Sequence, residues 1–233
     1  MFIPLRDDNP TSRFPFVTVG LIALNTAVFL VQAVAPHGLA MAAVRFGAVP
    51  YEIIHFRSLA EPAAFPRLLT ILTSMFLHGS LFHLLGNMLY LWIFGNNVED
   101  RLGPIRFSLF YLASGIAAAL THIAVQPSSR LPMIGASGAI AGVLGAYWLL
   151  YPWARVKTFI FLIFYIDVVA IPARLILGLW FVLQILNVGL GGGVAWFAHI
   201  GGFLAGVLFI RLALGKGYRQ PRTPWGDRGL GPA

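Results

Sequence analysis

The sequence predicts an all-α membrane protein, a bundle of six transmembrane helices with a short central fourth helix. Three observations carry that expectation. Of 233 residues, 58% are apolar and only 10% are charged, where a soluble domain carries about 25% charge; mean hydropathy is +0.81. The apolar residues gather in six long runs separated by polar connections. Lys and Arg stand at the ends of those runs and in the C-terminal tail, so the net charge of +8 reads as membrane topology and not as a nucleic-acid surface.

The first 13 residues are expected to be a cytoplasmic segment. The first span covers about 14–35 and ends in Ala33-Val34-Ala35, which mimics a signal-peptidase site. The run is longer than a usual signal-peptide core and Pro36 follows the would-be cut, so the helix is expected to be retained. The connection 36–79, with Pro50, Pro62 and Pro66 and patches such as "YEIIHF", is too polar to span and too apolar for a free linker. It is expected to lie in the membrane interface.

Span two covers about 80–97, span three about 106–125 and span four about 137–151. The run "FIFLIFYIDVVAI", 159–171, is too short to cross and stops at Pro172, so it is expected to be a partly embedded connection. Spans five and six cover about 172–189 and 195–214, closing a core of 14–214. The Pro-, Gly- and Arg-rich tail, 215–233, is expected to be disordered. Six spans put both termini on one side. Placing them in the cytoplasm leaves only Arg45, Arg57, Arg67 and Arg130 outside, as the positive-inside rule favours. Spans two, four and six then run in parallel.

Strongly polar groups inside a bilayer are expensive and mark function. Here they sit on the three parallel spans. "HGSLFHLLGN" puts His83 and Asn87 on one helix face, with His78 just before it; span four carries Ser137 and span six carries His199. Span four, from Ser137 to Tyr151, is only about 22 Å long at 1.5 Å per residue, less than a hydrocarbon core of about 30 Å. The preceding "SRLPMIGA" must therefore enter as non-helical chain, tolerated only when buried in protein or lining a wet cavity. Ser137, Ala141 and Gly145, flanked by Gly138 and Gly142, give span four a flat face, and Gly202 and Gly206 follow His199 on one side of span six. Two such faces pack closely. Packed in parallel, they would bring Ser137 to His199, with Ser137 at a helix N-terminus whose N–H groups favour negative charge.

A serine hydroxyl needs a base, and His199 is the histidine this packing delivers. No Asp or Glu lies in spans two, four or six, and Asp167, just before span five, is not taken as a third member. The expected site is a dyad with a neutral imidazole. With no cysteine there is no disulfide, thiolate nucleophile or Cys-based metal site.

"GASG" (Gly135 to Gly138) on a short fourth span, "HxxxxHxxxN" at the second and "AHxxGxxxG" on the sixth resemble the rhomboid family of intramembrane serine proteases, over roughly residues 14–214. "GNNVEDRLG", after span two, resembles a turn of that family. The resemblance implies a six-span rhomboid-like bundle in which Ser137 is the nucleophile and His199 the base. By the same resemblance His83, Asn87 and the Ser137 N–H line an oxyanion hole, and His78 is structural. Gly135, Gly138, Gly202 and Gly206 support the site. Some members stack a tyrosine, four residues after the serine, on the histidine; this chain has Ala141, so how His199 is held stays open. Trp180 and Phe181 read as lipid-facing or packing aromatics, or by resemblance as a lateral gate against span two. The implied partners are single-span membrane-protein substrates and the lipid bilayer, with no nucleic acid, metal or cofactor; the expected location is a bacterial plasma (inner) membrane. Three other readings compete. His78, His83, His122 and His199 suggest a metal site, but no HExxH motif occurs. A catalytically silent relative that binds and escorts membrane proteins typically lacks the serine or the histidine, and both are here. A transporter calls for internal repeats, and none is visible.

Overall fold

The computed structural model describes residues 2–35, 38–59, 65–162, 164–188 and 193–215. Strand β1 (Phe2–Asp7) leads into α1 (Phe16–Val34), with no side-chain cap of its own. Its first turn is capped from a distance. Glu99 accepts the N–H groups of Val17 and Thr18 at 2.9 and 2.7 Å and the Thr18 hydroxyl at 2.7 Å. A buried carboxylate at a helix N-terminus satisfies orphan donors and meets the positive end of the dipole. This gives "GNNVEDRLG" a structural role.

The stretch expected as an interfacial loop, 36–79, holds short helices: α2 (Gly38–Phe46), α3 (Pro50–His55) and α4 (Thr70–Thr73), the last flanked by single 3₁₀ turns. His55, expected in a loop, closes α3 and stacks on Tyr51 one turn back, rings 4.2 Å apart. The buried Glu52–Arg67 ion pair at 3.1 Å ties α3 to the chain before α4. Residues 36–37 and 60–64, with Pro36, His37 and Pro62, lie outside the described residues.

After α4 the chain bends by 78° into α5 (Leu81–Tyr90), one π turn at Leu91–Gly95 and α6 (Asn96–Leu102). Then come α7 (Pro104–Val125) and α8 (Ser137–Leu150). Among the described residues three helices are long and apolar enough to cross a membrane, namely α1, α7 and the last helix, with a fourth span if the bent pair counts as one. Helix α8 and α9 (Ala173–Leu186) are apolar but shorter, and α10 (Trp196–Leu214) closes the described chain. The chain is an integral, mostly helical membrane protein. The tail expected to be disordered lies, from residue 216, outside the described residues.

The connection expected over 159–171 takes the form of an antiparallel hairpin, β2 (Arg155–Leu162) and β3 (Tyr165–Pro172), with Arg155 opposite Pro172 and Leu162 opposite Tyr165. Strand β1 pairs along the other edge of β2, Phe2 opposite Ile160, giving the order β1-β2-β3. Alternate residues Val156, Thr158 and Ile160 are buried, the period-two signature of a strand. The sheet sits at the C-terminal end of α8, where Tyr147 donates to Asp7 at 2.6 Å.

The core centres on α8, buried nearly all round from Ala139 to Leu150. Its small face meets α10 backbone to backbone. A β-carbon at Gly202 would stand 2.1 Å from the Gly138 carbonyl oxygen, one at Gly206 2.0 Å from that of Gly142, and one at Gly145 2.2 Å from that of Phe203. Only hydrogen fits at such distances, so these glycines set the interhelical spacing.

Candidate active site

The spacing fixes a hydrogen bond. Ser137 is the first residue of α8 and His199 lies in the first turn of α10. Packing at Gly138 and Gly202 brings Ser137 Oγ to 2.8 Å from His199 Nε2. The chain entering α8 is non-helical, as its length requires, and is held by neighbours. Ala48 and Met133 exchange backbone hydrogen bonds at 3.0 and 2.8 Å, and Gly135 N–H donates to Ser74 at 2.9 Å. Gly135 has φ +123°, and a β-carbon there would strike the His83 ring at 2.8 Å. Glycine is demanded twice over, by backbone conformation and by close approach.

Ser137 and His199 face a cavity of about 1040 Å³ walled by His83, Asn87, Trp180, Gln184 and the 131–134 segment, among others. Ser80 caps α5 by accepting the His83 N–H at 3.1 Å, which orients the first turn of that helix. One turn further, Asn87 is buried with its side-chain N–H₂ group lacking any partner. A buried donor without an acceptor costs about 1–3 kcal/mol, and this one belongs to a residue of the cavity wall. The N-terminus of α8 adds the N–H groups of its first turn. His78 is fully buried, its ring edge-on to His83 with centroids 5.1 Å apart, and its backbone N–H donates to the Gln32 side-chain oxygen at 3.1 Å. It packs behind the site and does not line the cavity.

His122, on α7, also lines the cavity, tilted against Phe197 with centroids 6.5 Å apart. Trp180 is half-buried on the cavity wall, its ring centre 6.0 Å from that of His199, and Phe181 stacks on Phe203 at 4.5 Å. Both pack against the core. Among the described residues no group of three His, Cys, Asp or Glu is placed to hold a metal ion.

One residue escaped the sequence reading. Gln184 of α9, buried among apolar neighbours, has its side-chain oxygen 2.8 Å from His199 Nδ1. It is an amide, where a charged triad would place a carboxylate. The available signal was simple: in α9 Gln184 is the one uncharged polar side chain, and such a residue in a membrane helix needs a partner.

A family model described as "Rhomboid domain" matches residues 66–216. The chain is 34% identical over 152 residues to Rhomboid protein 1, mitochondrial, of Saccharomyces cerevisiae, covering 60% of this chain and 40% of that one. It is 33% identical over 198 residues to presenilin-associated rhomboid-like protein A, mitochondrial, of Danio rerio (82% and 46%). It is 36% identical over 145 residues to Rhomboid protease GluP of Bacillus subtilis (62% and 26%). The chain thus spans less than half the length of these relatives.

Proposed function

The chain belongs to the rhomboid family, and from that premise we propose that it is an intramembrane serine endopeptidase that cuts single-span membrane proteins with Ser137 and His199. The observation that carries the proposal is the 2.8 Å contact between Ser137 Oγ and His199 Nε2 at the N-terminal end of α8, facing a cavity of about 1040 Å³. The name of the Bacillus relative, a protease, supports the same reading. In this proposal the spans are six, with the bent pair, α8 and α9 joining the three long helices. The core runs over 14–214, with 36–79 interfacial, both termini cytoplasmic and a bacterial plasma membrane as its location.

Each step has a residue. Neutral His199 takes the proton from Ser137 Oγ as the oxygen attacks the scissile carbonyl, and the carbonyl oxygen becomes an oxyanion. The α8 N-terminus, including the Ser137 N–H, together with Asn87 Nδ2 and the His83 ring, receives that charge. The intermediate collapses and breaks the C–N bond while His199 returns the proton to the leaving amine. Water then attacks the acyl-serine with His199 again as base, freeing the new carboxylate and Ser137. The cavity admits that water where lipid alone would not. In this proposal Trp180 and Phe181 form the lateral gate for a substrate helix, Trp180 from the cavity wall.

The test is cleavage of a panel of single-span substrates by purified protein, with Ser137→Ala and His199→Ala alongside. Both variants lose cleavage to a similar extent, since members of a catalytic unit do not add independently, while thermal stability stays near wild type for Ser137→Ala. Substrate binding without cleavage by the wild-type protein would favour the silent escort instead.

A further inference from the structure

We propose that Gln184 is the positioning residue that fixes the tautomer of His199, as a neutral third member of the site. The inference rests on the protease reading for its kinetic consequence but not for its structural content. Three hydrogen bonds run in series. The Gln184 amide nitrogen donates to the backbone oxygen of Trp180, one turn back, at 3.0 Å. That bond settles which way the amide points, because the reverse orientation would set two carbonyl oxygens against each other. The amide oxygen therefore faces His199 Nδ1 at 2.8 Å.

An oxygen of this kind only accepts, so Nδ1 carries the proton. In a neutral imidazole Nε2 is then the bare nitrogen. It lies 2.8 Å from Ser137 Oγ, where a lone pair is needed to take the hydroxyl proton. Were the tautomer reversed, Nε2–H would point at the serine and Nδ1 would face the amide oxygen lone pair to lone pair. Gln184 thus does by hydrogen bonding what a carboxylate does in a charged triad.

Trp180 adds a second restraint. Its ring lies tilted by 37° beside the imidazole, centroids 6.0 Å apart, and Trp196 approaches edge-on at 6.1 Å. These contacts hold the plane of the ring and Gln184 holds its polarity. Together they account for an ordered histidine with alanine at 141.

The experiment uses full-length protein in detergent, labelled with ¹⁵N-histidine, with the His199 signals assigned by their loss in His199→Ala. Wild-type His199 is expected as the Nδ1–H tautomer. Gln184→Met, which keeps the volume and removes the acceptor, is expected to give a mixed or Nε2–H ring and a ten- to hundredfold lower kcat, in the range for lost outer-shell partners, with KM unchanged. Gln184→Glu restores an acceptor and is expected to recover the Nδ1–H signal and most of the rate lost in Gln184→Met. A wild-type ring protonated on Nε2 would overturn the proposal, as would a Gln184→Met protein that keeps the Nδ1–H form at full rate. The spectra need no substrate, so a failure of the protease assignment, seen as undiminished cleavage by Ser137→Ala, is read separately.

Discussion

Replacing Gly202 with alanine tests whether the spacing of α8 and α10 builds the site. The added β-carbon would lie 2.1 Å from the Gly138 carbonyl oxygen and 3.1 Å from its carbon. Carbon–oxygen contacts in proteins settle at about 3.3–3.6 Å. The obstacle is backbone, so no rotamer change relieves it, and α10 must withdraw from α8 by roughly 1 Å or more. Gly138 adjoins Ser137 and Gly202 is one turn from His199, so the displacement arrives at the reacting pair almost undiminished. A 2.8 Å hydrogen bond stretched by that amount is no longer one. Misplacement on this scale costs about 10²-fold in rate. Overpacking should cost about 1–3 kcal/mol, or roughly 3–10 °C in Tm for a chain of this size. The assay is initial cleavage rate and Tm in one detergent, with Gly20→Ala as control. Gly20 lies on α1 with nothing within 4 Å of a new β-carbon, so that variant keeps its rate and does not lose stability. Wild-type cleavage by Gly202→Ala would refute the claim that these glycines set the Ser137–His199 distance.

If Asn87 is one of several oxyanion donors, as proposed, Asn87→Ala is expected to lower kcat by about 10²–10³ while leaving measurable turnover; single-turnover rates check this, and a wild-type rate would take Asn87 out of the site. Glu99→Ala strips the acceptor from three donors at the start of α1; a loss of about 2–4 kcal/mol follows from charged hydrogen bonds at a helix terminus, read as a lower Tm with the same cleavage specificity. Asp7 supplies a pH test. Burial raises its carboxyl from 3.8 to about 6, against the lowering effect of the Tyr147 hydrogen bond. The folded protein then holds the proton more tightly than the unfolded chain, so stability falls as pH rises from about 4 to about 6 and is level above. The difference is about 1–3 kcal/mol, allowing for partial exposure. Asp7→Asn keeps an oxygen for Tyr147 and is expected to flatten that slope and raise Tm at neutral pH; an unchanged slope would assign the pH dependence elsewhere.

Much of the arrangement was legible because it rests on local rules. Span four was too short, which required irregular chain before Ser137, and glycines at four-residue intervals marked a close crossing. Those two facts led to Ser137 facing His199. The sheet was not legible. Its hairpin is apolar on both faces near the turn, so the alternation of Val156, Thr158 and Ile160 was masked by the run that follows. Strand β1 is paired to β2 from the far end of the chain, and nothing in "FIPLRD" announces a partner that distant. The π turn at Leu91–Gly95 left no trace either, since no proline or paired glycines mark it. Gln184 was missed for another reason. Its partner lies on a different helix, and the rule applied, a carboxylate behind the histidine, was drawn from sites in water-filled clefts.

A membrane changes which third member a histidine can have. A carboxylate on α9 would have to enter the bilayer at about 2.5–3.5 kcal/mol on insertion scales, and burying it beside a neutral ring would add a desolvation cost without a permanent counter-charge. The sequence carries no Asp or Glu anywhere in α7, α8, α9 or α10. An amide meets the need at lower cost. It accepts from Nδ1–H, its own N–H is satisfied within α9, and no net charge enters the core. What it gives up is electrostatic support for the imidazolium formed during proton transfer. That deficit must be met around the reacting oxygen, where α8 presents its N-terminus and Asn87 an unpaired donor. The glycine crossing thus decides where the imidazole lies and α9 decides which nitrogen faces the serine. In the proposed mechanism, proton transfer to His199 is best supported with the Gln184 oxygen held 2.8 Å from Nδ1.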